Sequence, residues 1–409
     1  MKKKWFFLAI LLNYFQGLSQ DINIDCIAIK QAGDCYSAIE INPINKLLFN
    51  CSPKGFGSQL EIKNNSSKSM FFFEKEHNTI WLKFNCPYDA LMCFDIIPND
   101  TTYDFDFLLF KNEGNNFCKN LNYKHSKPIR TNISRNNLKN KSITGLNINA
   151  KKEYIPSGIQ PMYSKALKVN KSENYFLVID NVYGGESGFS IQFNYYEEKN
   201  IKGSIINNNT NTPIYSNIKI ESANNGKQIA EFHSDSITGE FNLDYKAIIN
   251  EDYYLITESK NYFFSETLLS SISKNDTLSS GLEIKVSKLK KNENLKLHNL
   301  NFYGDSYEYL PTAIPSLNRL LSLMQNNSTL KILIEGHTNG CPGGIEYSQM
   351  LSENRAKTIK DFLIKNGINK QRLVSKGFNC SKMLYPNMET NSDWEKMMNR
   401  RVEILVLDF

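Results

Sequence analysis

At 409 residues the chain is longer than one hydrophobic core usually serves, so two or three domains are expected. Its formal net charge is +6, and removal of a leader carrying Lys2, Lys3 and Lys4 leaves +3. A balance this slight excludes the concentrated basic face that nucleic acid demands. Eight cysteines with no CxxC pair and no HExxH sequence point to disulfides in an oxidising compartment rather than to a zinc site, and no metal ligand set is expected.

Residues 1–19 read as a secretory signal: the lysine cluster, an apolar run from Trp5 to Leu12, and Gly17-Leu18-Ser19 as a small-residue cleavage site before Gln20. That run is too short to span a bilayer, and no later stretch approaches the roughly eighteen apolar residues a spanning helix needs. The nearest cysteine to the cleavage point is Cys26, so a lipoprotein anchor is not expected. Six cysteines (26, 35, 51, 86, 93 and 118) fall in the first third of the chain, and Cys341 and Cys380 in the last. Pairing within each group is the economical expectation.

Residues 20–197 offer short apolar runs with period-two alternation between Asn, Gly, Ser and Lys clusters, the pattern of an all-β domain. In one run Ile80, Leu82, Phe84 and Cys86 share a face for burial while Trp81, Lys83 and Asn85 share the other. The segments His77–Trp81, Tyr103–Phe110 and Tyr175–Asp180 resemble the jelly-roll accessory modules of secreted bacterial proteins, the pre-peptidase C-terminal type. Asp104 and Asp106 face one side of a strand, with Asp100 just before, so they are the residues that would take a calcium ion; solvated strand edges are the plainer reading. An outer-membrane barrel over 21–197 is a competing architecture, against which the shortness of the runs speaks.

A second all-β unit, 198–288, opens with Ile201-Lys202-Gly203-Ser204-Ile205-Ile206 and passes through Thr212-Pro213-Ile214 and Ile218-Lys219-Ile220 to Asp235…Gly239, where a hairpin must reverse. It resembles the carboxypeptidase regulatory-like domain, a prealbumin-like sandwich that carries no catalytic residues. Lys288, Lys290 and Lys291, with the polar residues as far as Asn294, read as a solvated linker.

Beyond it the period changes. Leu295, Leu297, Leu300 and Phe302 predict a strand; Ile314, Leu317, Leu320, Leu321 and Met324 a helix; Leu330, Ile332 and Ile334 a strand; residues 346–365 a helix ending at Gly367; Leu373–Gly377 and Val402–Leu407 two more strands. The expected fold is thus multidomain: two all-β sandwiches, then a two-layer α/β domain of order βαβαββ at 289–409. Cys341 and Cys380 each follow strands that a crossover helix would make parallel, which puts them on one edge and predicts a disulfide.

Gly336-His337-Thr338-Asn339, Leu351-Ser352-Glu353-Asn354-Arg355-Ala356 and Asn399-Arg400-Arg401-Val402-Glu403 stand in this order at the end of a strand, along a helix and at the start of the last strand. Together they resemble the GHTD, LSxxRA and NRRVE motifs of the OmpA C-terminal, peptidoglycan-binding family. The resemblance implies a ligand site drawn from Gly336, His337, Thr338, Asn339, Gly340, Leu351, Arg355, Arg400 and Arg401. In the family the arginine and the Asp of GHTD hold the two ends of the diaminopimelate side chain of the peptidoglycan stem peptide.

Leu351, Arg355, Ile359 and Phe362 recur at helical spacing, so Arg355 lies on a buried stripe and needs a partner. A bidentate grip on a ligand carboxylate suits its guanidinium; an ion pair within the domain is the alternative. Asn339 stands where the family has Asp, and Ser348 where it often has Asn. Gly340-Cys341-Pro342-Gly343-Gly344 is either an anion-binding concavity of backbone N–H groups or a plain tight turn. His337 has no nucleophile placed beside it and reads as a satisfied structural histidine. Without a GxSxG elbow, a P-loop or a dinucleotide fingerprint, the chain reads as a binder and not an enzyme. The expected role is an exported periplasmic or outer-membrane-associated protein that holds peptidoglycan and links it to the outer membrane or to partners of its β domains. The competing role is a component of a surface adhesion or type IX secretion assembly whose sandwiches bind protein or glycan.

Overall fold

The computed structural model describes residues 21–409 except 63–71, 74, 113, 115, 122–125, 272–280, 296, 298–299, 342 and 387–391. The expected leader, 1–19, lies outside them. The chain divides into two compact units, Met1–Glu197 and Glu198–Phe409. Among the described residues no helix is long and apolar enough to cross a membrane.

In the first unit, β1 (Thr79–Asn85), β3 (Phe105–Lys111) and β4 (Asn174–Asn181) are neighbours in one sheet. The strand β2 (Ala90–Pro98) pairs antiparallel with the first half of β5 (Phe189–Asn207) in the other. Alternation sends Phe84, Phe94, Phe107 and Phe193 between the sheets, where Phe94–Phe107 and Phe84–Phe193 ring centroids are each 5.1 Å apart. Two sheets facing each other across such a core leave no lumen, which corrects the barrel alternative.

The other face of the β1–β4–β3 sheet is also buried. Trp81 is fully enclosed with Phe110, Phe176, Cys35 and Phe73 in a second apolar cluster, so the expected solvent side of β1 is wrong at its largest residue. A strand buried on both faces loses its alternation, and here the covering chain comes from elsewhere in the sequence. Disulfides join Cys26 to Cys51 and Cys35 to Cys118, tying down that covering chain. Cys86 and Cys93 lie outside the bridges and are buried.

The second unit begins within β5. Its part Gly203–Asn207 pairs in parallel with β11 (Leu282–Val286), opposite a four-stranded sheet built from β6 (Asn217–Ser222), β7 (Gln228–His233), β9 (Tyr253–Glu258) and β10 (Ser265–Leu268). The strand between, β8 (Glu240–Ile248), supplies Phe241 to a core with Ile205, Ile218, Ile220, Leu255 and Ile284.

The last sheet has the order β12 (Asn294–Leu295), β15 (Val402–Asp408), β13 (Lys331–Gly336), β14 (Leu373–Gly377). The helices α1 (Ile314–Asn326) and α2 (Ile345–Lys365) bury Leu317, Leu320, Met324, Ile359 and Leu363 against Ile332, Ile334 and Ile404. Pro315 at the start of α1 and Gly367 (φ +92°) just past α2 mark the ends chemically.

Three expectations change here. A short helix, α3 (Asp393–Asn399), precedes the last strand. Among the described residues of the predicted strand Leu295–Phe302, Leu295 belongs to β12 and Phe302 makes an isolated bridge to Tyr309. The stretch read as linker is bonded in place, because Asn292 N–H donates to Val406 O and Val406 N–H to Glu293 O.

The α1 helix also meets the sandwich that precedes it. Arg319, 6% exposed, places Nη2 2.9 Å from Glu221 Oε2 and Nη1 3.1 Å from Glu266 Oε1. Ser322 Oγ donates to Glu258 Oε2 at 3.2 Å, and Asn261 N–H to Asn327 Oδ1 at 2.9 Å. Burial raises the Glu221 carboxyl above its ordinary value, against the pull of Arg319 and Lys219.

Candidate functional site

Sequence patterning positions the site through close packing of α2 on two strand ends. A side-chain carbon at Gly336 would lie 2.0 Å from Ser352 O, and one at Gly377 2.4 Å from Ser352 Oγ, so glycine is required where β13 and β14 pass beneath α2. The two strands are parallel, with Gly336 opposite Gly377, and their ends carry Thr338–Cys341 and Phe378–Cys380. Thr338 N–H donates to Asn379 O, and Asn379 N–H to Ser352 Oγ. Cys341 and Cys380 form a disulfide, Cα atoms 5.7 Å apart, as the parallel-strand argument predicts.

The motif residues gather at this edge. Gly340 adopts φ +80°, and its carbonyl accepts from Thr338 Oγ1 at 3.0 Å and Ser348 Oγ at 3.4 Å. These bonds turn the glycine-rich segment back on α2. Asn339 Oδ1 accepts from Asn399 Nδ2 at 3.1 Å, while Asn399 Oδ1 accepts from the N–H groups of Leu384 and Tyr385. Asn399, fully buried, therefore ties the Asn339 end to the last strand's entry. Leu351 is buried below.

Arg355 is 1% exposed, which agrees with its place on the apolar stripe. Its guanidinium donates to three carbonyls: Nε to Ser306 at 2.9 Å, Nη1 to His337 at 3.2 Å, Nη2 to Tyr303 at 3.4 Å. It also stands 5.3 Å over the Phe302 ring. These carbonyl bonds replace the internal carboxylate partner that was the alternative. Among the described residues these bonds use three of its five N–H groups. Burial first, and then the Arg400 charge, pull the guanidinium down to about 10, with Asp305 and Tyr347 opposing. The group stays charged at neutral pH. Arg400 Nε is itself buried without a hydrogen-bond partner among the described residues, and Arg400 and Arg355 repel each other. The site thus holds two cations and an amide, with hydrogen-bond donors in excess.

On the far side of β13, Arg401 Nε donates to Glu403 Oε1 at 2.6 Å and its Nη2 to Lys382 O at 3.0 Å. His337, expected to be satisfied, is not: it is 1% exposed and neither ring nitrogen has a hydrogen-bond partner among the described residues. Burial, with Arg401 adding, pulls it down to about 4 against the Glu403 charge. Sequence reasoning also missed Asn399 as the brace of Asn339, although it begins the third motif.

In the first unit Asp104 and Asp106 lie beside Asp180, which stands opposite Asp106 in register. The structure brings this third carboxylate to the pair named from sequence. Burial pushes Asp104 up to about 6 and raises Asp106 well above the carboxylate range. Asp180 Oδ1 accepts from the N–H groups of His77 and Asn78, and its Oδ2 lies 2.8 Å from His77 Nδ1. Asp100 accepts from Thr102 N–H and Oγ1 within its own turn.

Residues 301–393 match the OmpA family. Over 111 residues, 26% of this chain and 13% of the relative, the chain is 36% identical to "Photosystem I P700 chlorophyll a apoprotein A2" of Gloeobacter violaceus. Over 90 residues, 22% of this chain and 50% of the relative, it is 31% identical to the peptidoglycan-associated lipoprotein of Buchnera aphidicola. The solved periplasmic domain of Helicobacter pylori MotB is 23% identical with a TM-score of 0.26, over 30% of this chain and 81% of that one. The chain spans half or less of the length of these two curated relatives. The part of the chain that the family match places, residues 301–393, is an OmpA family domain.

Proposed function

We propose that the C-terminal domain binds peptidoglycan without catalysis, holding the diaminopimelate of a stem peptide between Arg355 and Asn339, and that the β domains before it carry the link to the outer membrane or to other envelope proteins. The observation that supports this most is the state of Arg355: a fully buried cation whose hydrogen bonds go to carbonyls. Carbonyls orient a guanidinium but do not neutralise it, and Asp305 offsets less than Arg400 adds, so a ligand carboxylate would meet an excess of positive charge fixed in place. Arg400, with a buried Nε that has no partner among the described residues, adds a second donor beside it. Asn339 keeps its Nδ2 donor and a lone pair of its oxygen for the other end of the ligand.

The test is co-sedimentation of the full chain with purified sacculi. Arg355→Lys keeps a charge but loses the fork, and it should release the protein from sacculi while circular dichroism shows a folded chain. Retention of a folded Arg355→Lys variant at the wild-type level would remove Arg355 from the site.

A further inference from the structure

We propose that Glu335, His337 and Glu403 form a binding site for one divalent transition metal of the zinc class, on the face of the C-terminal sheet opposite α2. Gly336 faces α2, so Glu335 and His337 on either side of it point the other way. Glu403 is the direct cross-strand partner of Glu335 and shares that face. One ligand atom from each residue lies within 4.8 Å of the other two. Bonds of about 2.0–2.2 Å to a tetrahedral zinc set ligand atoms about 3.3–3.6 Å apart. The 3.9 Å between His337 Nε2 and Glu403 Oε2 therefore closes by small side-chain rotations.

Independent observations point to a ligand here. His337 is a fully buried imidazole without a hydrogen-bond partner among the described residues, its Nε2 3.9 Å from a Glu403 carboxylate oxygen, and a buried polar group without a partner calls for an explanation. Its ring stacks on Phe378, centroids 5.7 Å apart, which fixes its plane. Arg401 holds Glu403 by Oε1 at 2.6 Å and leaves Oε2 on the histidine side, the outer-shell arrangement that orients a metal-binding carboxylate. The competing cation is Lys382, whose half-exposed Nζ lies 3.5 Å from Glu335 Oε1 and 3.9 Å from the Phe378 ring centroid, and which a bound ion would have to displace. Glu403 also lines a cavity of about 500 Å³ with Leu295, Leu300 and Leu384.

The donor set decides the metal. One imidazole and two carboxylates suit a borderline cation, whereas calcium takes six to eight oxygens and magnesium a water-rich octahedron. An ion held here would join the end of β13 to β15 directly below Thr338 and Asn339. The site stands on its own geometry, whatever the ligand of the edge above it.

The experiment is calorimetric titration of the metal-stripped, disulfide-intact full chain with zinc chloride, repeated with cobalt for its visible absorption. The expected result is one site of micromolar affinity or tighter, at least tenfold weaker in Glu335→Gln and in Glu403→Gln, with a four-coordinate cobalt spectrum that both variants lose. Absence of zinc binding in the wild type would overturn the proposal. So would undiminished binding in both glutamine variants, which would place the ion elsewhere on the chain, or a six-coordinate cobalt spectrum in the wild type. Each variant is checked by circular dichroism, and the wild-type spectrum decides alone if both variants fail to fold.

Discussion

Two arginines of the C-terminal part are almost equally buried, on adjacent helices, and they solve the same electrostatic problem differently. Arg319 on α1 meets the carboxylates of Glu221 and Glu266; Arg355 on α2 meets the carbonyls of Tyr303, Ser306 and His337. A buried cation balanced by carboxylates is finished, and its role is to hold two parts of the chain together. A buried cation hydrogen-bonded to dipoles, with Arg400 pushing against it more strongly than Asp305 offsets, is held but not balanced, and it retains an attraction for an anion from outside. The difference teaches that burial alone does not separate a structural arginine from a binding one; the charge of the partners does.

The comparison breaks most visibly at Arg319. Arg319→Ala strands two buried carboxylates and should lower stability by about 3–5 kcal/mol, read as a lower denaturant midpoint, with sacculus binding unchanged under conditions where the chain stays folded. Loss of sacculus binding by the folded variant would put Arg319 in the site. The bridge at the binding edge comes next: Cys341→Ser with Cys380→Ser should reduce stability by about 2–4 kcal/mol in the same assay, and an unchanged midpoint would show that the edge is held by Thr338, Asn379 and Ser352 alone. The smallest effect sharpens the Arg355 side. Asn339→Asp keeps the acceptor that Asn399 uses and adds a charge, so it should tighten binding of a diaminopimelate-containing muropeptide by up to about tenfold. The gain should shrink as salt is added. Weaker binding in calorimetry would mean that the amide's own N–H groups contact the ligand.

Sequence periodicity was sufficient for α1, α2, β13 and β15 because each is one-sided: α2 repeats Leu351, Arg355 and Ile359 at helical spacing, and β13 alternates Ile332 with Ile334. The same reasoning placed Arg355 inside the domain and joined Cys341 to Cys380, since parallel strands with a crossover have only one edge to share. It failed where a partner is remote. Nothing near Arg319 announces Glu221 or Glu266, which stand on two strands of the preceding sandwich, so the sequence shows α1 only as a helix with an apolar stripe. Trp81 was assigned to solvent for a like reason: the covering residues Cys35 and Phe73 reach it only through the fold and the Cys35–Cys118 bridge. His337 was misread because the identity of a side chain says nothing about whether its nitrogens find acceptors.

The docking of α1 on the sandwich has a mechanical meaning. Residues 198–409 are one compact body, and the stretch that resembled a loose connector is hydrogen-bonded into the last sheet. Tension applied at the edge that carries Thr338 and Asn339 would reach β5 through a stiff member, with Arg319, Ser322 and Asn327 as the rivets. In a force-extension trace this part of the chain should yield in a single rupture, and Arg319→Ala should split it into two.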